Sequence, residues 1–392
     1  MISLTEARQL IASNIAPRPA VAVDLDGALG CVLAEPVLSD SLYPSGDRSQ
    51  MDGYVVRGDA VPGRFRLAGE IQAGMVPDQV LEPGDCCRIF TGALLPPGGG
   101  RVVMQEDTIA AGDFVRMERF GQRLFIREKG SEARPGQVLL PAGTRLGAVE
   151  LAVLAQVGMV RPVVIPAPTV FHVATGDELV DPAVLPGAGG IRDTNTSLLR
   201  ALLSERGVTR FSSRRTGDDP AAMAAAAETD DDLLLLSGGA SVGEYDFGAV
   251  TLARLGWTIH FNRVNLRPGK PLTFATRGSQ AAFVIPGNPV SHFVCYHTAI
   301  RLAVECAAGR PIEWPAVWLD LADGCALEQD PRETWWPATA VARDGRLTVS
   351  PKSWSSSGNS FSLAGTNALV QVNAQSPRGG KALTLLLEPP AS

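Results

Sequence analysis

The chain has 392 residues, more than a single hydrophobic core usually organises, so we expect two to four domains. Hydrophobic residues make up 45% and charged residues 19%, which is ordinary for a globular protein. Because the formal net charge is −6, the composition argues against a general binder of nucleic acid or of anionic membranes.

The start of the chain and its cysteines indicate the compartment. No basic segment followed by an apolar stretch opens the sequence, and the apolar runs are too short or too interrupted to span a bilayer. The six cysteines form no CxxC pair, and the four histidines fall in no zinc-binding spacing. We therefore expect reduced thiols and a cytoplasmic protein.

Two styles of sequence precede residue 150. A helical pattern covers residues 4–15, and an Ala-Leu-Gly run predicts a second helix over residues 26–34. Between residues 51 and 150, short strand-like runs alternate with Gly and Pro turns, which favours a small β-rich domain. The predicted strands there are 64–67, 102–105, 114–119 and 124–127.

Predicted helices and strands alternate after residue 147, which favours a doubly wound α/β sheet. The strand over 233–237 is fully apolar, as in parallel sheets buried on both faces. Asp218 or Asp219 is the predicted N-cap of a helix that begins at Pro220. The other predicted elements are helices over 149–157, 194–206 and 290–308 and strands over 163–165 and 169–175. The segments 250–255 and 283–285 continue the alternation.

Short β patterns return after residue 311 and predict a final β domain of 70–80 residues. Its predicted strands are 316–321, 338–342, 347–350, 368–372 and 381–387.

The segment from Asp232 to Asp246 carries the strongest functional signal. An apolar strand ends at Ser237, Gly238 and Gly239 and continues into a Ser/Gly turn. Ligands of open α/β sheets bind beyond the carboxyl ends of the strands, and successive backbone N–H groups can hold a phosphate. The pattern predicts a small-molecule site; the alternative is a tight turn that binds nothing.

Acidic residues follow neighbouring predicted strands. They are Asp177, Glu178, Asp193 (with Asn195) and Asp218. If the strands are parallel, these side chains project from one edge of the sheet. Carboxylates beside a phosphate would repel it unless a divalent metal lay between them, and oxygen ligands suit Mg²⁺. The alternative is that Asp193 and Asp218 are helix caps.

Basic and polar turns complete the set of candidates. Arg263, Arg267 and Lys270 form a compact basic loop that could hold phosphates or an oxyanion. Pro286 opens a turn before a predicted helix, whose N-terminus would suit an anion. Asp52 and Thr91 each lie at a Gly turn in the N-terminal region, and spacing alone does not link them to the α/β domain.

Taken in this order, these segments resemble the MoeA family of molybdopterin molybdenumtransferases, which is related to the gephyrin E-domain. Each segment is a weak motif by itself, but seven in family order cover essentially the whole chain. They are Ser49-Gln-Met-Asp-Gly-Tyr54, Arg88-Ile-Phe-Thr-Gly-Ala93, Thr175-Gly-Asp-Glu-Leu179, Asp193-Thr-Asn195, Ser237-Gly-Gly-Ala-Ser-Val-Gly243 with Asp246, Arg267-Pro-Gly-Lys-Pro271 and Pro286-Gly-Asn-Pro-Val-Ser291.

The resemblance implies a multidomain α/β protein that forms an elongated homodimer. Residues 168–310 would form the central molybdopterin-binding domain, a three-layer fold with a mostly parallel sheet. Residues 1–50 with 140–167 would form an N-terminal helical and extended region, 51–139 a β-rich domain and 311–392 a C-terminal β domain. The family's site lies between the central domain of one subunit and the N-terminal regions of the other, which would involve Asp52 and Thr91.

The implied reaction hydrolyses adenylylated molybdopterin with Mg²⁺ and molybdate, releases AMP and leaves molybdenum on the dithiolene. The implied catalytic residues are Asp52, Glu178, Asp218 and Asp246, of which the last three would hold the metal. The implied binding residues are Thr91, Asp193, Asn195, Ser237, Gly238, Gly239, Ser241, Gly243, Arg263, Arg267, Lys270, Pro286 and Ser357. The adenylyltransferase that precedes this enzyme is a plausible partner.

The chain departs from the family pattern at a few positions. Arg stands at 263 and 267 where the family often has Lys, Glu132 replaces a shorter acid, and Gln50 replaces a small residue. These differences keep two alternatives open. One is a paralogue with a changed metal preference, such as tungstate; the other is a non-catalytic dimeric scaffold that binds a partner peptide.

Overall fold

A computed structural model describes residues 1–238, 247–311, 314–325, 330–353, 356–372 and 380–388. The chain divides into two compact units. The first comprises Met1–Ala34, Gly143–Ala148 and Arg161–Ser392, and the second comprises Glu35–Ala142 and Val149–Val160. The four-domain boundaries expected from the sequence remain a prediction.

Helices are few, and most of them belong to the first unit. A π-helical turn over Tyr296–Ile300 joins α6 to α7 in one continuous helix. The α-helices are α1 (Leu4–Asn14), α2 (Ala148–Gln156), α3 (Thr194–Ser204), α4 (Pro220–Ala227), α5 (Phe247–Arg254), α6 (Pro289–Cys295) and α7 (Arg301–Ala307). None of the helices in the described residues is both long and apolar enough to cross a membrane.

Strands dominate the described residues. They are β1 (Val21–Ala22), β2 (Val32–Leu33), β3 (Val37–Leu38), β4 (Arg48–Ser49), β5 (Gly53–Arg57), β6 (Gly63–Ile71), β7 (Asp85–Ile89), β8 (Gly99–Met104), β9 (Thr108–Ala111), β10 (Phe114–Met117), β11 (Ile126–Arg127), β12 (Val138–Leu140), β13 (Val163–Ile165), β14 (Val170–Thr175), β15 (Leu179–Val180), β16 (Ile191–Arg192), β17 (Phe211–Thr216), β18 (Leu233–Ser237), β19 (Thr258–Phe261), β20 (Leu266–Arg267), β21 (Thr273–Arg277), β22 (Gln280–Ile285), β23 (Ala316–Leu321), β24 (Glu333–Arg343), β25 (Arg346–Pro351), β26 (Ala368–Val372) and β27 (Lys381–Leu386).

The first unit contains a six-stranded sheet in the order β17-β14-β18-β22-β21-β19. Strands β17, β14, β18 and β22 are parallel, and β21 runs antiparallel to both of its neighbours. Alternate leucines of β18 pack on opposite faces: Leu233 and Leu235 join the core beneath α3 and α6, while Leu234 and Leu236 join the core beneath α4 and α5. Helices therefore cover both faces, and the expected three-layer α/β fold with a mostly parallel sheet is confirmed.

The C-terminal part of the first unit is a second β structure. Its strands pair in the order β20-β24-β25-β23-β27-β26, and an additional pairing of β24 with β26 closes the ring. Small and branched side chains fill its interior, among them Ala338, Ala340 and Val349. Strand β20 belongs to the loop between β19 and β21, so a segment of the α/β region pairs with this C-terminal sheet.

The second unit is built on a sheet in the order β8-β5-β7-β6-β10-β9. Neighbouring residues of β5 and β7 point to opposite cores, Val55 with Cys87 on one side and Val56 with Cys86 on the other. The β-rich character expected for this region is confirmed.

One local prediction is wrong. Residues 26–34 do not form a helix: a 3-10 turn covers Leu25–Gly27, and β2 follows and pairs with β13. Gly30 has a φ of +78°, a conformation that interrupts a helix. The segment 250–255, for which the alternation names no element type, belongs to helix α5 up to Arg254. All six cysteines are free thiols, as expected.

Candidate functional site

The candidate site lies at the carboxyl edge of the α/β sheet. Because β14, β17, β18 and β22 are parallel, the segments that follow them emerge at the same edge, as predicted. Hydrogen bonds join these strand ends. Thr175 Oγ1 donates to Ser237 O at 3.0 Å, and Gly238 N donates to Ile285 O at 3.1 Å.

Gly238 occupies a position that only glycine fits. Its φ is +94°, and a Cβ built there would lie 2.4 Å from Thr175 Oγ1 and 2.6 Å from Thr175 O. Gly238, the first residue after β18, therefore lies directly against the end of β14. Without a side chain at this point, the backbone remains open to close approach by a ligand. The predicted site residues Gly239, Ser241, Gly243 and Asp246 lie outside the described residues.

Carboxylates cluster at the ends of the adjacent strands β14 and β17. Asp177 and Glu178 follow β14, Asp218 follows β17, and all three side chains are exposed. Asp177 Oδ1 accepts a hydrogen bond from Asp218 N at 3.2 Å, so the two turns are in contact. Asp219, not Asp218, caps α4, because its carboxylate accepts from Ala222 N at 2.7 Å.

Asp193 is a helix cap, as the simpler interpretation held. Its carboxylate accepts from Thr196 N at 3.0 Å and from Thr196 Oγ1 at 2.6 Å, and it is 95% buried in the first turn of α3. The cap places Asn195 at the edge of the sheet, where its Nδ2 donates to Gly287 O at 2.7 Å. Asn195 Oδ1 is buried and has no hydrogen-bond partner among the residues described.

A divalent cation is compatible with this edge only in the way Mg²⁺ usually binds. Among the described residues, no three His, Cys, Asp or Glu side chains converge as a complete metal site. Mg²⁺ is generally held by one or two carboxylates together with substrate phosphates and water. Glu178 follows β14, the neighbour of β18, and Asp218 follows β17, so carboxylate oxygens are available at this edge and the donor chemistry fits.

The turn after β22 brings in a residue from the C-terminal region. Pro286, Gly287 and Asn288 follow the strand, and Asn288 Nδ2 donates to Ser357 Oγ at 2.8 Å. The backbone of Ser357 also accepts from Val290 N at 3.1 Å. Ser357, one of the binding residues implied by the resemblance, therefore lies beside the candidate site.

The basic loop connects β19 to β21 and emerges at the same edge of the sheet. Arg267 Nη1 lies 2.5 Å from Asp330 Oδ2, and Asp330 also pairs with Arg332. Much of the Arg267 charge is thus already compensated within the protein. Arg263 is exposed, and Lys270 is half-buried.

Asp52 and Thr91 are brought together in the second unit. Asp52 Oδ1 accepts from Thr91 N at 2.7 Å and from Thr91 Oγ1 at 2.8 Å, and these bonds lower the pKa of the Asp52 carboxyl. Gly53 is required beside them, because a Cβ there would lie 2.0 Å from Val103 O. Glu132 pairs with Arg127 at 3.2 Å.

Two buried histidines and one half-buried threonine at the edge escaped the sequence reasoning: His172 in β14, His292 in α6 and Thr196 in α3. Both imidazoles are within hydrogen-bond distance of Ser237 Oγ. Burial lowers the pKa of His172 to about 3 and that of His292 to about 4. A histidine inside a fully apolar strand was the available signal, because a buried imidazole needs partners.

Comparisons with known proteins agree with this architecture. Residues 2–158 match the family model described as MoeA N-terminal region (domain I and II), and residues 172–305 match the one described as probable molybdopterin binding domain. A molybdopterin molybdenumtransferase from Nostoc sp. is 37% identical over 89% of this chain and 84% of its own length. One from Staphylococcus aureus is 30% identical over 97% and 93%.

Solved structures show the same fold. The molybdopterin biosynthesis moeA protein of Pyrococcus horikoshii OT3 superposes with a TM-score of 0.80 at 24% identity, covering 98% of this chain and 100% of that one. A molybdenum cofactor biosynthesis protein from Pyrococcus furiosus gives a TM-score of 0.57 at 19% identity, covering 98% and 99%.

Proposed function

Because the chain belongs to the MoeA family of molybdopterin molybdenumtransferases, enzymes of molybdenum-cofactor biosynthesis, we propose that it inserts molybdate into adenylylated molybdopterin. In this reaction water attacks the pyrophosphate of the nucleotide in the presence of Mg²⁺. A phosphorus–oxygen bond breaks and AMP leaves. The two dithiolene thiols then bind the molybdenum of molybdate, and their two protons leave with one oxygen ligand as water.

One observation carries the proposal. Exposed carboxylates follow β14 and β17, where Asp218 N donates to Asp177, and Gly238 follows β18, whose Ser237 O accepts from Thr175 at the end of β14. A pyrophosphate needs close backbone approach on one side and cation-holding oxygens on the other. This edge offers both on adjacent strands.

The residues divide the work as follows. The Gly238 turn binds the phosphates, with the neighbouring Gly239, Ser241 and Gly243 as further proposed contacts. Asn195 offers its free Oδ1 to a donor on the ligand. Glu178 and Asp218, with Asp246, would hold Mg²⁺, which when bound would offset phosphate charge and activate the bond for hydrolysis.

The oxyanion would be held by the basic loop. Arg263, Lys270 and the hydroxyl of Ser357 are the proposed contacts for molybdate or for the phosphates, by charge and by hydrogen bonding. Arg267 contributes less charge, because Asp330 already pairs with it. The departures from the family pattern at Arg263, Arg267 and Glu132 motivate a second candidate, a transferase of the same fold with a changed preference for tungstate.

Asp52 would act as an anion. Its two bonds from Thr91 lower the pKa of its carboxyl, so it remains deprotonated at neutral pH and can accept hydrogen bonds or hold a metal-bound water. The proposal includes a homodimer in which Asp52 and Thr91 serve the sheet edge of the partner subunit, and delivery of the substrate by the preceding adenylyltransferase. Equilibrium sedimentation of the purified protein tests the dimer.

The first test is AMP release from adenylylated molybdopterin, with and without molybdate, tungstate and Mg²⁺. Release that requires Mg²⁺ and molybdate supports the insertase. Release driven equally well by tungstate supports the second candidate. Tight binding of the pterin nucleotide without any release contradicts both and favours a scaffold.

Adjacent acids supply a matched pair of variants. We expect Asp218→Asn to lower AMP release about 100-fold, because it removes a carboxylate proposed to hold Mg²⁺. Asp219→Asn should retain activity within about twofold, since Asn also caps helices well and Asp219 only caps α4. Equal losses in the two variants would contradict the assignment of Asp218.

A further inference from the structure

A continuous chain of hydrogen bonds runs beneath the candidate site. Its centre is Ser237 Oγ, which lies 2.5 Å from His172 Nε2 and 2.6 Å from His292 Nε2. Both imidazoles are fully buried, and Ser237 is 97% buried. Contacts as short as these two require a proton between their two atoms.

This chain of hydrogen bonds has an acceptor at each end. On one side, His172 Nδ1 lies 3.1 Å from Thr196 Oγ1, whose proton goes to the Asp193 carboxylate at 2.6 Å. On the other side, His292 Nδ1 lies 3.2 Å from the carbonyl oxygen of Asn288. A carboxylate and a carbonyl only accept hydrogen bonds, so neither end can supply a proton.

Counting protons shows that the chain is one short. Five contacts need five protons, but two hydroxyls and two neutral imidazoles carry four. Burial keeps both rings neutral: the pKa of His172 falls to about 3, with further lowering by the charges of His292 and Arg200. The pKa of His292 falls to about 4, although the Asn288 carbonyl and Asp193 oppose the fall.

Either of the two long contacts can be the one without a proton, and the choice sets the direction of the two hydrogen bonds of Ser237. If the long contact at Asn288 lacks it, Ser237 donates to His172 and accepts from His292. If the long contact between Thr196 and His172 lacks it, Ser237 donates to His292 and accepts from His172. The short central contacts keep their protons in both arrangements.

The chain links the three turns that form the binding edge. Asp193 stands two residues before Asn195, Ser237 directly precedes Gly238, and Asn288 closes the turn whose Gly287 carbonyl accepts from Asn195. Each turn therefore contributes one group to the same chain of hydrogen bonds: the Asp193 carboxylate, the Ser237 hydroxyl or the Asn288 carbonyl.

We propose that His172 and His292 are positioning residues of the transferase. Together with Ser237 they form a chain of hydrogen bonds with one proton fewer than it has contacts, called the relay below, and this relay holds the three turns in register for the pterin nucleotide. They act through the turns and do not touch the substrate. The kinetic part of this inference rests on the proposed function; the state of the two rings does not.

Paired substitutions at His292 test the relay. His292→Leu removes the ring nitrogens at similar volume, whereas His292→Gln retains an amide that can meet Ser237 Oγ. We expect the leucine variant to raise the KM for adenylylated molybdopterin at least tenfold, with kcat and the Mg²⁺ requirement changed less than threefold. The glutamine variant should recover most of that loss.

His297 provides the control for burial alone. It lies five residues further along the same helix and is 95% buried, and neither of its ring nitrogens has a hydrogen-bond partner in the described part of the chain. His297→Leu should leave the KM for the pterin nucleotide within twofold of the wild type. A KM that rises equally in His297→Leu and His292→Leu would overturn the relay, because the effect would then be general to the core.

Nitrogen-15 NMR of the histidine rings tests the relay in wild-type protein without substrate. We expect the His172 and His292 rings each to carry one proton between pH 6 and 8, with Ser237 coupling their tautomers, so that Ser237→Ala changes both signals. A doubly protonated ring at pH 7, or rings unaffected by Ser237→Ala, would overturn the inference. Loss of AMP release in the wild type would refute the proposed function and leave the ring result standing.

Discussion

Replacement of Gly238 by alanine tests the geometry of the binding edge. At a φ of +94° an alanine is strained by about 1–2 kcal/mol. Its Cβ would also lie 2.6 Å from the backbone oxygen of Thr175, an overlap that costs about 1–3 kcal/mol more. The β14 end cannot yield cheaply, because Thr175 also donates to Ser237 O. The turn must therefore move.

A displacement of about 1 Å at a reacting group costs on the order of 100-fold in rate. We therefore expect Gly238→Ala to lower kcat/KM for AMP release about 100-fold and to destabilise the protein by about 2–5 kcal/mol. Steady-state kinetics and urea unfolding measure the two effects.

Gly287→Ala is the matched control on the same edge. Among the described residues, its Cβ would meet Gly238 Cα alone, at 3.9 Å, which is an ordinary contact. This variant should retain kcat/KM within threefold. If kcat/KM of Gly238→Ala also stayed within threefold and the variant lost no stability, the close contact between Gly238 and Thr175 could not be required for binding.

Two further predictions concern ionisable groups. Thr91→Val removes one of the two hydrogen bonds that lower the pKa of Asp52, so that pKa should rise and the acid limb of AMP release should move to higher pH. Carbon-13 NMR of the Asp52 carboxyl measures the pKa, and a pH–rate profile measures the acid limb. An unchanged profile would contradict the role of Asp52. Burial lowers the pKa of His297 to about 3, so the unfolded chain binds the extra proton first and stability is lost as pH falls below about 6.5. His297→Leu should therefore remove about 2 kcal/mol of the destabilisation between pH 7.5 and 5 in urea unfolding, and an equal pH dependence in both proteins would refute this.

The sequence predicts the α/β region well because its strands are locally distinctive. The four leucines before Ser237 are bounded by acids and glycines, and β18 has the predicted bounds. The edge strand β17 was missed, since its polar residues are mostly exposed and show no apolar alternation. The helix predicted over 26–34 fails because β2 is stabilised by β13, a partner about 130 residues away.

Some parts of the candidate site can likewise be predicted from the sequence, and others cannot. Turn residues such as Gly238 and Glu178 are recognisable because each follows a strand with a clear pattern. The contact between Asp52 and Thr91 depends on the pairing of β5 with β7, which spacing alone does not give. The relay is further from reach, because His172 and His292 are 120 residues apart and each looks like an ordinary core residue until the sheet places Ser237 between them.

The loop strand β20 has a consequence for exchanging parts between related enzymes. It lies within the α/β region of the chain, yet it pairs with β24 of the C-terminal sheet, and Arg267 on it is bound to Asp330 beyond the apparent boundary at residue 311. A chimaera joined at that boundary would combine a strand and an arginine from one parent with a sheet edge and an aspartate from another. We therefore expect an active chimaera only when residues 263–271 and the C-terminal segment come from the same parent. The basic loop and that segment must be exchanged together.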